Sequence, residues 1–139
     1  MIQAGTKAGG GGKDRNNEAF LNGRSVLLVE DEFLLALHLE ELVESLGAKV
    51  RGPFTRLADA MAAARHDDFD MAILDINLNG TMVYPLADDL IGRRVPFLFL
   101  SGYGLANLPE RFRGIMRLNK PCEPALLTAA LKGIAETLP

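Results

Sequence analysis

From Ser25 onward, short apolar runs alternate with segments of helical periodicity. Ser25-Val26-Leu27-Leu28-Val29 is a continuous branched run ending at Glu30-Asp31, the pattern of a strand covered on both faces. Leu35, Leu39, Leu42, Val43 and Leu46 then fall at helical spacing, with Gly47 as a stop. Lys49 to Pro53 reads as a second strand. Leu57, Ala60, Met61 and Ala64 line one face of a second helix. Met71-Ala72-Ile73-Leu74 is a third strand ending in Asp75, and a helix is predicted near Met82 to Ile91 with Pro85 in its first turn. Pro96 to Leu100 is a fourth strand, ending at Ser101-Gly102. Tyr103 to Arg113 is irregular, with room for a short helix only. Ile115 to Asn119 is a weaker fifth strand running into Lys120-Pro121, and Leu126, Leu127, Ala130, Leu131 and Ile134 mark the last helix. Five strands alternating with helices predict an α/β fold, a doubly wound parallel sheet covered on both faces.

The first 23 residues differ in kind. They hold six of the 14 glycines (Gly5, Gly9 to Gly12 and Gly23) and no periodic apolar pattern. Residues 1–23 therefore read as a flexible Gly-rich tail, and residues 24–139 as one domain. The 139 residues carry 15 basic and 18 acidic side chains, a formal net charge of −3. That balance argues against nucleic acid or an anionic membrane surface as partner. No apolar run approaches the roughly 20 residues of a bilayer span, and a lone cysteine excludes an internal disulfide framework. The composition suits a small cytoplasmic protein.

In open α/β sheets, ligands bind beyond the carboxyl ends of the strands. Those ends carry a short list: Glu30 and Asp31 after strand one, Asp75 after strand three, Ser101 after strand four, Lys120 after strand five. Three carboxylates packed together repel unless protonated or bridged by a cation, and hard oxygen donors of this kind suit Mg²⁺. A carboxylate beside Mg²⁺ can attack phosphorus, with Ser101, Lys120 and the Gly102 amide as donors for the phosphoryl oxygens. Taken singly, Asp75 reads as a turn or cap and Glu30-Asp31-Glu32 as an acidic first helical turn. Their joint placement at four strand ends is what points to chemistry.

The runs Val26-Leu27-Leu28-Val29-Glu30-Asp31-Glu32, Ile73-Leu74-Asp75-Ile76-Asn77-Leu78, Leu100-Ser101-Gly102 and Asn119-Lys120-Pro121 resemble, in order, the signatures of response regulator receiver domains. The resemblance covers residues 24–138. It implies a flavodoxin-like sheet in order 2-1-3-4-5 flanked by five helices. It also implies Asp75 as phosphoryl acceptor, Asp31 and Asp75 on Mg²⁺ with Glu30 acting through water, and the Asn77 backbone carbonyl as a further ligand. Ser101 matches the switching hydroxyl. Lys120 matches the phosphoryl-pairing lysine, whose bond to Pro121 is typically cis. The implied phosphodonor is a sensor histidine kinase or a histidine phosphotransfer protein, with an unidentified downstream protein as recipient or phosphate drainage as the role. That is a stand-alone signalling domain rather than an enzyme with turnover.

The sequence departs from the family pattern at Arg117, which occupies the position where most receivers carry a switch aromatic. Phe99-Leu100-Ser101-Gly102-Tyr103-Gly104 is similar to the Phe-Ala-Thr-Gly-apolar-Tyr motif of an alphaproteobacterial receiver subgroup often paired with HWE-type kinases. Tyr103 is then the candidate switch aromatic. Two rival functions share these residues. A phosphorylation-independent receiver-fold adaptor would use the fold for binding alone. A haloacid-dehalogenase-type phosphatase would need a second Asp two residues after its nucleophile, where this chain has Asn77.

Overall fold

The computed structural model describes residues 19–102 and 108–139. The strands are β1 (Ser25–Val29), β2 (Lys49–Phe54), β3 (Met71–Asp75), β4 (Asn77–Leu78), β5 (Thr81–Met82), β6 (Phe97–Ser101) and β7 (Arg117–Asn119). Among the described residues the α-helices are α1 (Phe33–Ser45), α2 (Leu57–His66), α3 (Tyr84–Gly92) and α4 (Pro124–Ala135). The main sheet has the order β2-β1-β3-β6-β7 with every pair parallel. With the small β4–β5 hairpin set aside, this is the predicted 2-1-3-4-5 order.

Alternation along the buried strands explains the two layers. Leu27 and Val29 of β1, with Ala72 and Leu74 of β3, face a core shared with α2 and α3. Val26, Leu28, Met71 and Ile73 point the other way, into a core with α1 and α4. A strand buried on both faces has no place for a polar residue until it ends, hence the unbroken apolar runs. In-register pairing (Val26 with Met71, Ala72 with Phe97, Ser101 with Asn119) brings the strand ends to one edge of the sheet.

Several expectations are corrected. The predicted tail ends too late: Leu21 is fully buried in the α1/α4 core, and its amide donates to the Leu46 carbonyl at 2.9 Å. The apolar run Ala19-Phe20-Leu21, cut off by Asn22-Gly23, is too short to show a period, so the burial of Leu21 depends on the cleft that the rest of the chain provides. The helix predicted from Met82 begins at Tyr84, because Thr81–Met82 pairs with Asn77–Leu78 in the hairpin. The hairpin turn is Asn79-Gly80, with φ of 53° and 95°, and Asn-Gly is the strongest short hairpin signal in a sequence. In place of a fifth α-helix the described residues hold one 3-10 turn, Glu110–Phe112. Pro109 and Gly114 bracket too few residues for more. Its Phe112 is buried against Phe99 and Tyr84, with ring centroids 5.5 and 5.2 Å apart.

Candidate phosphoryl-acceptor site

Three polar side chains are buried in the described residues: Glu30 (0% exposed), Asp75 (1%) and Ser101 (2%). All stand at the carboxyl edge of the sheet, where the apolar runs of β1, β3 and β6 end. An open depression of about 330 Å³ reaches Asp75 and is lined also by Asp31, Glu32, Asn77, Asn79, Gly102 and Lys120.

Lys120 is the electrostatic centre. Its Nζ lies 3.1 Å from Asp75 Oδ2, 3.2 Å from Glu30 Oε2 and 2.8 Å from Glu32 Oε1. Its backbone is anchored by an N–H bond to the Ser101 carbonyl at 2.9 Å, and its peptide bond to Pro121 is cis. Glu30 is further fixed by the Glu32 amide, which donates to Oε2 at 2.9 Å. The Asn77 amide donates to Asp75 Oδ1 at 3.2 Å, and Asn77 Oδ1 accepts the Gly80 amide at 2.6 Å, so one residue ties the Asp75 carboxylate to the hairpin turn. The Ser101 hydroxyl donates to Asn119 Oδ1 at 3.4 Å, a long bond.

One cation facing several acids cannot neutralise them all. Burial, then the Glu30 charge and the hydrogen bond with Asp31, push Asp75 up to about 7 against the pull of Lys120. Burial likewise raises Glu30, opposed by the Glu32 amide and Lys120. Burial works against the Lys120 charge too, but hydrogen bonds to Glu32 and Asp75 outweigh it, and its pKa rises. The result is a pocket short of positive charge. Glu30, Asp31 and Asp75 each offer an oxygen within 4.8 Å of the others. That all-oxygen, acid-rich donor set fits a hard divalent cation such as Mg²⁺.

The edge thus brings together Glu30, Asp31, Asp75, Ser101 and Lys120, with Asn77 alongside. Tyr103 lies outside the described residues. Glu32 on Lys120 and Asn119 on Ser101 were not anticipated. Glu32 adjoins the acid pair and Asn119 adjoins Lys120, so proximity in sequence was an available signal for both. Cys122 has its thiol raised by burial, which disfavours a reactive thiolate. Arg111 forms a two-pronged ion pair with Asp88 of α3 (2.8 and 3.0 Å) and lies 4.4 Å over the Phe112 ring.

No family model matches the chain. Among curated proteins it is similar to the phyllosphere-induced regulator PhyR of Methylorubrum extorquens, 34% identical over 115 residues. That match covers 76% of this chain and 41% of PhyR, so the chain spans about two fifths of that relative's length. Among solved structures, SdrG from Sphingomonas melonis Fr1 is 35% identical with a TM-score of 0.72, covering 80% of this chain and 95% of SdrG. SdrG is matched also in a BeF3-activated conformation, with a TM-score of 0.68 and the same coverage. The receiver domain of Erythrobacter litoralis PhyR, at 24% identity and a TM-score of 0.71 over 85% of this chain and 94% of its own, shares the fold. Sheet order, strand-end residues and these likenesses agree: the chain belongs to the response regulator receiver family, and its 34% identity to PhyR supports the alphaproteobacterial subgroup.

Proposed function

We propose that the chain is a phosphorylation switch in which Asp75 takes a phosphoryl group from a phosphohistidine of a sensor histidine kinase, of HWE type or another, or of a histidine phosphotransfer protein. The observation that carries this reading is the buried Asp75 carboxylate, held by the Asn77 amide and Lys120 at the floor of an open, acid-lined depression. In the transfer, an Asp75 oxygen forms the bond to phosphorus while the phosphorus–nitrogen bond to the imidazole breaks. Lys120 moves its charge onto the new phosphoryl oxygens. Ser101 leaves its long bond to Asn119 and donates its hydroxyl to the same group. Asp31 and Asp75, with the Asn77 carbonyl and Glu30 through water, would hold Mg²⁺. When bound, that ion neutralises the attacking carboxylate and the incoming oxygens. The BeF3-activated conformation of SdrG supports this chemistry by likeness.

The added charge and acceptor oxygens bias the residues that follow Ser101, with Tyr103 as the candidate switch aromatic. The signal then leaves through contact with a downstream protein or by phosphate drainage, in the cytoplasm. Among the described residues no helix is long and apolar enough to cross a membrane.

The test is intact mass after incubation with acetyl phosphate and Mg²⁺. One acid-stable, base-labile phosphoryl adduct is expected, and none on Asp75→Asn. No adduct from acetyl phosphate or from a panel of kinases would sink the reading. The phosphorylation-independent adaptor draws on Arg117 at the aromatic position. An Asp75→Asn protein with undiminished partner binding and signalling would favour it.

A further inference from the structure

The Lys120 ammonium has three N–H bonds and four carboxylate oxygens within reach. Glu32 Oε1 is nearest at 2.8 Å, then Asp75 Oδ2 at 3.1 Å and Glu30 Oε2 and Oε1 at 3.2 and 3.4 Å. All three donors are therefore engaged in the resting protein. A phosphoryl group on Asp75 brings about −2 of charge and three strong acceptor oxygens. For Lys120 to serve it, one of the present arms must let go.

The arms are unequal. Glu30 is wholly buried, so losing its cation would strand a carboxylate away from water. Asp75 is the acceptor itself. The Glu32 side chain is 64% exposed, and water replaces an exposed partner at little loss. Its departure disturbs nothing else. The peptide N–H of Glu32 stays on Glu30, and its side chain makes no capping bond at the start of α1.

We propose that Glu32 is a positioning residue, an exchangeable counter-ion that parks Lys120 in the resting state and competes with the phosphoryl group for it. The inference rests on the phosphoryl-acceptor reading of Asp75 and assigns that site a built-in competitor. Removing the competitor shifts the balance toward the phosphoryl-bearing state. A Glu32 that instead helped hold the metal would act in the opposite direction.

Beryllofluoride titrated into the protein at saturating Mg²⁺, followed by calorimetry, separates these cases. Glu32→Gln is expected to tighten beryllofluoride binding threefold to tenfold over the wild type. Glu32→Asp keeps the charge but withdraws it by about one carbon–carbon bond, ~1.5 Å. It is expected to behave like Glu32→Gln, because contact with Nζ and not charge alone is what competes. Glu123→Gln, which removes an acid three residues after Lys120 that is not among the carboxylates paired with Nζ, should bind as the wild type does. Unchanged or weakened binding in Glu32→Gln would overturn the proposal. So would wild-type behaviour of Glu32→Asp beside a tightened Glu32→Gln, which would reduce the effect to bulk charge. Failure of the wild type to take up beryllofluoride at all is a different result: it would overturn the phosphoryl-acceptor reading, and this inference with it.

Discussion

Lys120 reaches across 45 residues of sequence to place its ammonium 3.1 Å from the Asp75 carboxylate, joining the end of β7 to the end of β3. The two strands are not neighbours, since β6 lies between them. The contact exists because parallel strands end at one edge and a lysine is long enough to span the gap. Around it gather more acids than one cation can balance, and the first two predictions follow from that imbalance.

Mg²⁺ should stabilise the fold. At ten times its dissociation constant, a ligand bound only by the native state adds about 1.4 kcal/mol, or about 5 °C in Tm for a domain of this size. A thermal melt at pH 8 with and without millimolar Mg²⁺ reads this directly. Asp31→Asn should reduce the shift, and a wild-type Tm indifferent to Mg²⁺ would remove the metal site from consideration.

Without metal, stability should fall as pH rises. The ordinary Asp75 value is 3.8 and the folded value about 7, so between those pH values the native state holds a proton that the unfolded chain releases. The favourable contribution is complete below about pH 4 and is lost as pH climbs through 7, a change on the order of 2 to 4 kcal/mol. Denaturant melts in chelator from pH 4 to 8 should show a steeper decline for the wild type than for Asp75→Asn. Parallel profiles for the two proteins would contradict the raised value.

Leu21 belongs to the folded domain. Leu21→Ala should destabilise by about 2 to 5 kcal/mol, as for a buried leucine that leaves a cavity. Leu126→Ala, on a half-exposed residue, should stay near 0.5 kcal/mol. Urea unfolding of both variants decides it. Equal, small effects would return residues 19–23 to the tail.

Gly52 is the glycine the sheet cannot exchange. Its φ is +113°, and an added Cβ would stand 2.5 Å from the Leu28 carbonyl oxygen and 2.8 Å from the Phe54 nitrogen, where the β1–β2 register shifts. Backbone atoms on both sides cannot yield, so Gly52→Ala should lose more than about 2 kcal/mol. Gly80 also has a positive φ, +95°, but has open space around it, so Gly80→Ala should cost about 1 kcal/mol from backbone conformation alone. Chemical denaturation of the pair tests the difference. A milder effect at Gly52 than at Gly80 would show that β2 shifts to make room.

Much of this molecule is legible without coordinates. The interior strands declare themselves because a two-sided burial demands unbroken apolar residues, so Val26 to Val29, Met71 to Leu74 and Phe97 to Leu100 could hardly be anything else. Parallel topology then does the rest: if all strands point one way, the residues that end them must meet, and Glu30, Asp31, Asp75, Ser101 and Lys120 follow from position alone. Local pattern has no such hold on contacts decided by register and reach. Nothing in the spacing pairs Glu32 with Lys120 or Asn119 with Ser101, because those bonds depend on where β7 lies beside β6 and how α1 begins. Leu21 ends a three-residue apolar run too short to show a period, and its burial exists only once α1 and α4 have formed the cleft around it. The Asn79-Gly80 turn stood in the sequence as a hairpin signal. Its meaning emerged only when Asn77 was seen holding the turn with its side chain and Asp75 with its backbone. Periodicity encodes which face of an element is buried, and the tertiary structure decides which distant side chains share the space where those elements end.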